Sequence, residues 1–206
     1  DLALARRLVD HPSFYQKPRL SLVPALPAPV KQEAAREFLD KLDPSRITEP
    51  DPALIETLAA LPIQEIEGIL AALWGFPTLR GGIVGQLSRR PQITDLNLFF
   101  DGLDSGSDST VNAAARAIGS LGPGEQSGPV IARLIRSLRR AVVWEDRDRT
   151  RIDLLEAAEH WSEGGWSRDT DRPFTDQLDS LERWFESHHP QNVADAQLDA
   201  RDDPVA

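Results

Sequence analysis

Arginine side chains are concentrated between positions 133 and 151. Arg133, Arg136 and Arg140 recur at spacings of three and four residues, which places them on one face of a helix. Guanidinium groups on one face can bind carboxylates or phosphates, so these three residues are candidate partner-binding residues. An acidic protein is one possible partner, and a nucleic-acid backbone is a less favoured one. The interpretation we favour over both is a solvated face neutralised by nearby acidic residues, which are Glu145, Asp146, Asp148 and Asp153.

Patterns for catalysis or metal binding are weak. The chain has no cysteine, which excludes thiolate zinc sites, iron–sulfur ligation and disulfides within it. His188 and His189 are adjacent and point in different directions on a helix, while the i,i+3 pair of Glu186 and His189 is a common accident. The serines occur mainly at turns, without a nucleophile elbow. We therefore expect no catalytic residues, no metal and no cofactor.

Five tryptophans could suggest a ligand cage. Most of them, including Trp74 and Trp144, lie near the ends of predicted helices, where indoles commonly cover helical layers with their N–H groups paired. We favour this structural role. Trp161, Trp166 and Trp184, together with Phe185, are predicted to form one structural cluster that packs the last long helix onto the preceding ones.

Composition limits the partner and the compartment. The net charge of −10 and pI near 4.9 weigh against a nucleic-acid surface. No apolar run approaches the roughly 20 residues that a membrane-spanning helix needs. The first residues lack the apolar core of a signal peptide, so any targeting segment has been removed or never existed. A chain without methionine suggests a segment of a longer protein, and these features leave its localisation undecided.

Helical periodicity dominates the chain, and strand-like alternation is nearly absent. In the best-defined segment, Asp108 to Leu121, apolar residues recur every three or four positions, Asp108 or Ser109 can cap the start, and Gly122-Pro123-Gly124 ends the helix. The other predicted helices are Val30–Leu42, Pro52–Leu61, Pro62–Trp74, Pro77–Arg89, Ile93–Leu103, Gly128–Val143, Thr150–Trp161 and Phe174–His188. Short connections make such neighbours antiparallel, and stacked helical pairs would give a solenoid.

The pattern of paired helices restarts near Gln126, which indicates a repeat of about 33 to 37 residues. The segment Asp108-x-x-Val111-x-x-Ala114-Ala115-x-Ala117-Ile118-x-x-Leu121 resembles the second helix of a HEAT repeat, and Asp148 to Ala158 resembles it more loosely. This resemblance implies an all-α fold, a right-handed α-solenoid of HEAT-like helical pairs. A non-repetitive helical bundle is the alternative fold.

The C-terminal part resembles a segment of planctomycete-type secreted haem-binding proteins, in which HEAT-like repeats precede a c-type cytochrome domain. Trp161, the Gly164-Gly165-Trp166 turn and the group from Leu181 to Pro190 carry the resemblance. It implies a periplasmic or exported protein. The haem attachment motif Cys-x-x-Cys-His is missing from this chain, so a haem domain would lie beyond Ala206.

Four segments are expected: 1–29, an N-terminal helix and proline-rich connection; 30–163, HEAT-like repeats; 164–190, a C-terminal capping region; and 191–206, a tail or linker. The predicted function is a non-catalytic scaffold that binds another protein or a neighbouring domain. The alternatives are an accessory domain of an exported cytochrome and, less favoured, a repeat protein that binds the DNA backbone.

Overall fold

Every regular element in the described part of the chain is helical. The computed structural model describes residues 21–47, 51–142 and 148–197, together with Arg7, Asp10 and His11. The predicted N-terminal helix lies mostly outside these residues, and Trp144 lies wholly outside them. The all-α prediction is confirmed by the ten α-helices that these described residues form. They are α1 Ala28–Lys41, α2 Ala53–Leu58, α3 Ile63–Ala72, α4 Pro77–Leu87, α5 Leu96–Leu103, α6 Asp108–Ser120, α7 Ser127–Val142, α8 Asp148–Trp161, α9 Phe174–His188 and α10 Val193–Gln197.

Proline marks the start of several helices, which is why the sequence predicted those boundaries well. Pro77 occupies the first turn of α4, and Pro173 precedes α9, because the fixed φ of proline suits a helix start. The predicted cap of α6 was wrong by one or two residues. Ser107 is the N-cap residue, and Asp108 is the first helical residue, where its charge complements the helix dipole.

Two segments differ from their predicted form. The predicted helix Ile93–Leu103 begins with a 3-10 turn, Ile93–Asp95, before α5. Residues 191–197 belong to the segment expected to be a tail, yet they complete a 3-10 turn, Pro190–Asn192, and form α10. Helix α10 packs against α7, where Ala196 is buried, so tertiary contact orders a segment whose own apolar pattern is too weak to predict.

The chain divides into two compact units, Asp1–Arg90 and Pro91–Ala206, and the predicted repeat segment 30–163 spans both. In the first unit, α1 packs on α2 and α3 packs on α4, while α2 also packs on α4. A Cβ placed on Gly82 of α4 would lie 3.0 Å from Cγ2 of Ile55 of α2. Arg36 of α1 forms an ion pair of 3.4 Å with Glu65 of α3. In this unit α1 therefore contacts α2 and α3, while α4 contacts α2 and α3.

The second unit has the same scheme of contacts. Helix α5 packs on α6 and α7 packs on α8, while α6 packs on α8 and α5 on α7. Helices α9 and α10 both pack on α7. Helix α7 is therefore the central element of this unit, and every side chain from Val130 to Ala141 is buried or half-buried.

Small side chains allow α6 and α8 to approach closely. A Cβ on Gly119 would lie 3.5 Å from Cβ of Ala157, and Ala114, Ala115 and Ala158 are fully buried. Arg116 of α6 faces Asp153 of α8, and Gly119 faces Ala157 one turn later in both helices. The helices therefore run parallel, and residues that face each other are about 37 positions apart in the sequence. Close packing without large side chains makes this contact sensitive to added volume.

The approach of α6 to α8 predicts a disulfide in the variant Gly119→Cys/Ala157→Cys. Its two Cβ atoms fall within the range of about 3.5–4.5 Å that a disulfide requires, and the chain contains no other cysteine. Oxidation should raise the free energy of unfolding by about 3 kcal/mol, since the bridge closes a long loop. Non-reducing electrophoresis and urea unfolding with and without reductant measure both effects.

The matched control is Gly106→Cys/Ala157→Cys, because a Cβ on Gly106 would meet no atom within 4 Å. This control should stay reduced under the same conditions. Equal oxidation of both double variants would contradict the packing of α6 on α8.

Candidate functional site

Helix α7 carries the predicted partner-binding arginines Arg133, Arg136 and Arg140, and the first and last of them pair with Asp104 of the same unit. Nη1 of Arg133 lies 3.4 Å from Oδ2 of Asp104, and its guanidinium is 5.7 Å from the ring centre of Phe100. Arg136 is half-buried on the same helix. Partner binding by these residues stays a prediction, since their described contacts are internal.

Arg140 is the most enclosed of the paired arginines, with only 16% of its side chain exposed. Its Nη2 donates to Oδ1 of Asp104 at 2.6 Å and to the carbonyl oxygen of Leu103 at 2.9 Å. Leu103 is the last residue of α5, whose final carbonyl groups have no partner within their own helix. Arg140 therefore satisfies the end of α5 and complements its dipole.

Arg139 was not among the predicted residues, although it joins three helices. Its Nε donates to Oε1 of Glu182 of α9 at 2.7 Å, and its Nη1 donates to the carbonyl oxygen of Ala196 of α10 at 2.7 Å. Its position in the arginine run was visible in the sequence. The sequence around Arg139 could not identify its acceptors, because Glu182 and Ala196 lie 43 and 57 residues away.

The arginine run continues into α8, and two of the acidic residues expected to neutralise it pair with its arginines there, and not with those of α7. Asp148 pairs with Arg151 at 3.3 Å, and Asp153 pairs with Arg149 at 2.9 Å. Glu145 and Asp146 lie outside the described residues. Asp104, at the end of α5, supplies the negative charge that faces Arg133 and Arg140.

In the helical pairs α5–α6 and α7–α8, the second helices α6 and α8 carry a charged cluster that the sequence interpretation missed. Asp153 is only 2% exposed, whereas the side chains of Arg116 and Arg149 are 61% and 66% exposed. Oδ1 of Asp153 lies 2.9 Å from Nη2 of Arg149, and Oδ2 lies 3.7 Å from Nε of Arg116. We call Arg116 and Arg149 the α6–α8 arginine pair. The i,i+4 spacing of Arg149 and Asp153 was a sequence signal for their ion pair. Arg116 lies 37 residues before Asp153, so the expected repeat length was a signal for the second ion pair.

The aromatic residues act at the junctions around α8 and α9. Trp161 is almost fully buried, and its Nε1 donates to the carbonyl oxygen of Ile118 of α6 at 2.8 Å. Nε1 of Trp166 donates to Oγ of Ser180 of α9 at 3.3 Å. Phe185 is 1% exposed and stacks near His189. These contacts link α8 to α6, and the turn after α8 to α9.

Trp184 is half-buried and lies against the turn that follows α8. A Cβ on Gly165 would lie 2.8 Å from its Nε1, so only glycine fits beneath the indole. Glu163 and Gly164 have left-handed φ angles of 53° and 81°, which fold the chain back toward α9. The indole of Trp184 also stacks on His188, with ring centres 5.0 Å apart.

No group of three His, Cys, Asp or Glu side chains with metal-binding geometry is present in the described residues. His188 and His189 instead cover Trp184 and Phe185 at the end of α9. Burial lowers the pKa of His189 from its usual value of 6.5, and the nearby charge of His188 lowers it further.

Comparison with known proteins gave no match, since no family model, curated protein or solved structure is similar to the chain. A search of the described helices found none with the length and apolar character to cross a bilayer.

Replacing Arg140 with glutamine should lower the free energy of unfolding by about 1–3 kcal/mol, because two partly buried acceptors at the end of α5 lose a charged donor. Urea unfolding measures the change. Arg183→Gln is the matched control, since Arg183 is exposed and its described side-chain bond is to Asp179 of its own helix. An Arg140 variant as stable as this control would show that the contact with α5 contributes little.

The lowered pKa of His189 predicts that the fold loses stability as the pH falls below about 6.5. The unfolded chain binds the proton more readily there than the native protein does, so acid favours unfolding. Urea midpoints between about pH 7.5 and 5.5, where carboxyl groups stay ionised, should decrease toward acid. His189→Gln should flatten this dependence. An NMR titration that gave His189 a pKa above 6.5 would contradict the burial effect.

Proposed function

We propose that the chain is a non-catalytic, HEAT-like repeat scaffold that binds another protein or a neighbouring domain. The observation that carries this proposal is the parallel packing of α6 on α8 at an offset of about 37 residues. This offset agrees with the repeat length expected from the sequence, and two helical pairs stacked in this way are the basic unit of an α-solenoid.

The contacts of the first unit support the same proposal. Helices α1 to α4 form two pairs, and α2 packs on α4 as α6 packs on α8. The use of one contact scheme in both units is the expected behaviour of a repeat protein, in which each pair buries its apolar face against the next.

The distribution of charged side chains favours a structural scaffold over a nucleic-acid binder. Arg133, Arg139 and Arg140 are all engaged by carboxylates of the same unit. These internal ion pairs reduce the positive charge that α7 offers to a phosphate backbone. The chain as a whole carries a net charge of −10, which weighs against a nucleic-acid surface.

The face that we assign to partner binding is formed by the second helices, α6 and α8. Ile152 of α8 is one of four large apolar side chains that remain well exposed in the described residues, and it lies on the same helix as Arg149. An exposed apolar side chain beside charged ones is typical of the edge of a protein interface.

The proposal is tested by chemical cross-linking of the chain in extracts of its source cells, followed by reconstitution with the protein that is captured. We expect a stoichiometric complex in which hydroxyl-radical footprinting protects Ile152. Ile93, which is 51% exposed on a 3-10 turn outside the second helices, is the internal control and should stay reactive. Failure to form a stoichiometric complex, or protection of Ile93 alone, would contradict the proposed function or the assigned face.

A further inference from the structure

Two exposed guanidinium groups share one buried carboxylate on the face of the second helices. We propose that the α6–α8 arginine pair is a binding site for an acidic segment of the partner protein, whose Asp or Glu carboxylates it receives. This inference rests on the proposed scaffold function and names the chemistry of its partner. Asp153 balances only one of the two positive charges, so the cluster keeps a net positive charge at the surface.

Asp153 positions both arginines. Its side chain is 1% exposed, and the hydrogen-bond geometry of the described residues leaves both of its oxygens without a hydrogen-bond donor. A buried carboxylate must remain close to positive charge, because its desolvation is otherwise uncompensated. Asp153 therefore attracts both guanidinium groups by charge, with Nη2 of Arg149 at 2.9 Å and Nε of Arg116 at 3.7 Å from its carboxylate oxygens. The remaining guanidinium N–H groups belong to side chains that are more than half exposed.

The two arginines come from different helices and are fixed relative to each other by the α6–α8 packing. Nε of Arg116 also donates to the carbonyl oxygen of Asn112, one turn earlier in α6, at 3.3 Å. Arg149 lies one turn before Asp153 in α8, and the close contact of Gly119 with Ala157 locks the two helices together. Such a pre-formed pair loses less side-chain entropy on binding than two independent arginines would.

Nearby acidic side chains are occupied by other cations. Oε1 of Glu156 lies 2.8 Å from Nη1 of Arg168, and Glu159 lies 3.1 Å from Nε of the same residue. Asp148 pairs with Arg151. These carboxylates are held by Arg168 and Arg151, although Arg168 balances only one of the charges of Glu156 and Glu159.

An acidic protein segment fits this surface better than a nucleic acid does. Two guanidinium groups can each bind a carboxylate in bidentate fashion, which gives orientation as well as charge. A nucleic-acid backbone needs several phosphate contacts in succession, which two guanidinium groups do not supply. The exposed side chain of Ile152 offers an apolar contact that a peptide can use.

The test is fluorescence anisotropy of a labelled Glu/Asp-rich peptide with the full chain at low salt. The same peptide with Gln and Asn in place of its acidic residues is the uncharged probe, and a labelled single-stranded oligonucleotide is the nucleic-acid probe. We expect binding of the acidic peptide alone, with an affinity that falls as salt is added.

Arg116→Gln/Arg149→Gln should weaken binding of the acidic peptide by about tenfold, since two charge-assisted contacts are lost. That variant leaves Asp153 buried without a cation, so Arg116→Gln/Arg149→Gln/Asp153→Asn is made in parallel to remove the uncompensated charge. Arg90→Gln/Arg183→Gln is the matched control, because it removes two exposed positive charges elsewhere. Circular dichroism and urea unfolding verify that each variant is folded.

A selective loss in the triple variant, with the control unchanged, supports the site. Equal losses in the triple variant and the control overturn it, as does equal binding of the uncharged peptide or tighter binding of the oligonucleotide. If a partner forms a stoichiometric complex but acidic peptides do not bind, this inference fails and the scaffold proposal stands. If acidic peptides bind at the pair but no partner complex forms, the scaffold proposal fails.

Discussion

The close packing of α6 on α8 determines how the rest of the second unit is arranged. Gly119 and Ala157 bring the helix backbones together, which fixes the offset between one helical pair and the next. Trp161 then covers the end of this contact and donates to the carbonyl oxygen of Ile118. Helix α7 packs on α8 and on α5, which belongs to the other pair. The exposed arginines of α6 and α8 are held at a constant separation by the close packing of these two helices.

Charge in this unit is used mainly to join elements that are distant in sequence. Arg140 satisfies the end of α5, and Arg139 connects α7 to both α9 and α10. Each of these arginines is partly buried, so its carboxylate partner compensates for desolvation and fixes the register between helices. The α6–α8 arginine pair reverses this arrangement, since there the carboxylate of Asp153 is buried and the cations face solvent.

The helices were predictable because their signals are local. Apolar spacing, proline at helix starts and glycine after helix ends depend on a few neighbouring residues, and the predicted boundaries of α4, α6 and α9 lie within about two residues of the observed ones. Helix α10 was missed because its stability comes from packing on α7 and from the bond between Arg139 and Ala196. The candidate site was only partly predicted. The run of arginines was recognised, but the α6–α8 arginine pair was not.

The sequence by itself determined the all-α class and the positions of most helices, since both follow from periodicity along the chain. Only the tertiary structure decided which arginines are internal and which are exposed. Asp153 lies four residues after Arg149 and pairs with it. Asp104 lies 29 residues before Arg133 and 36 before Arg140, yet packing brings it to both. The physical reason is that ion pairing depends on distance and burial in three dimensions, which are set by how helices many residues apart pack together.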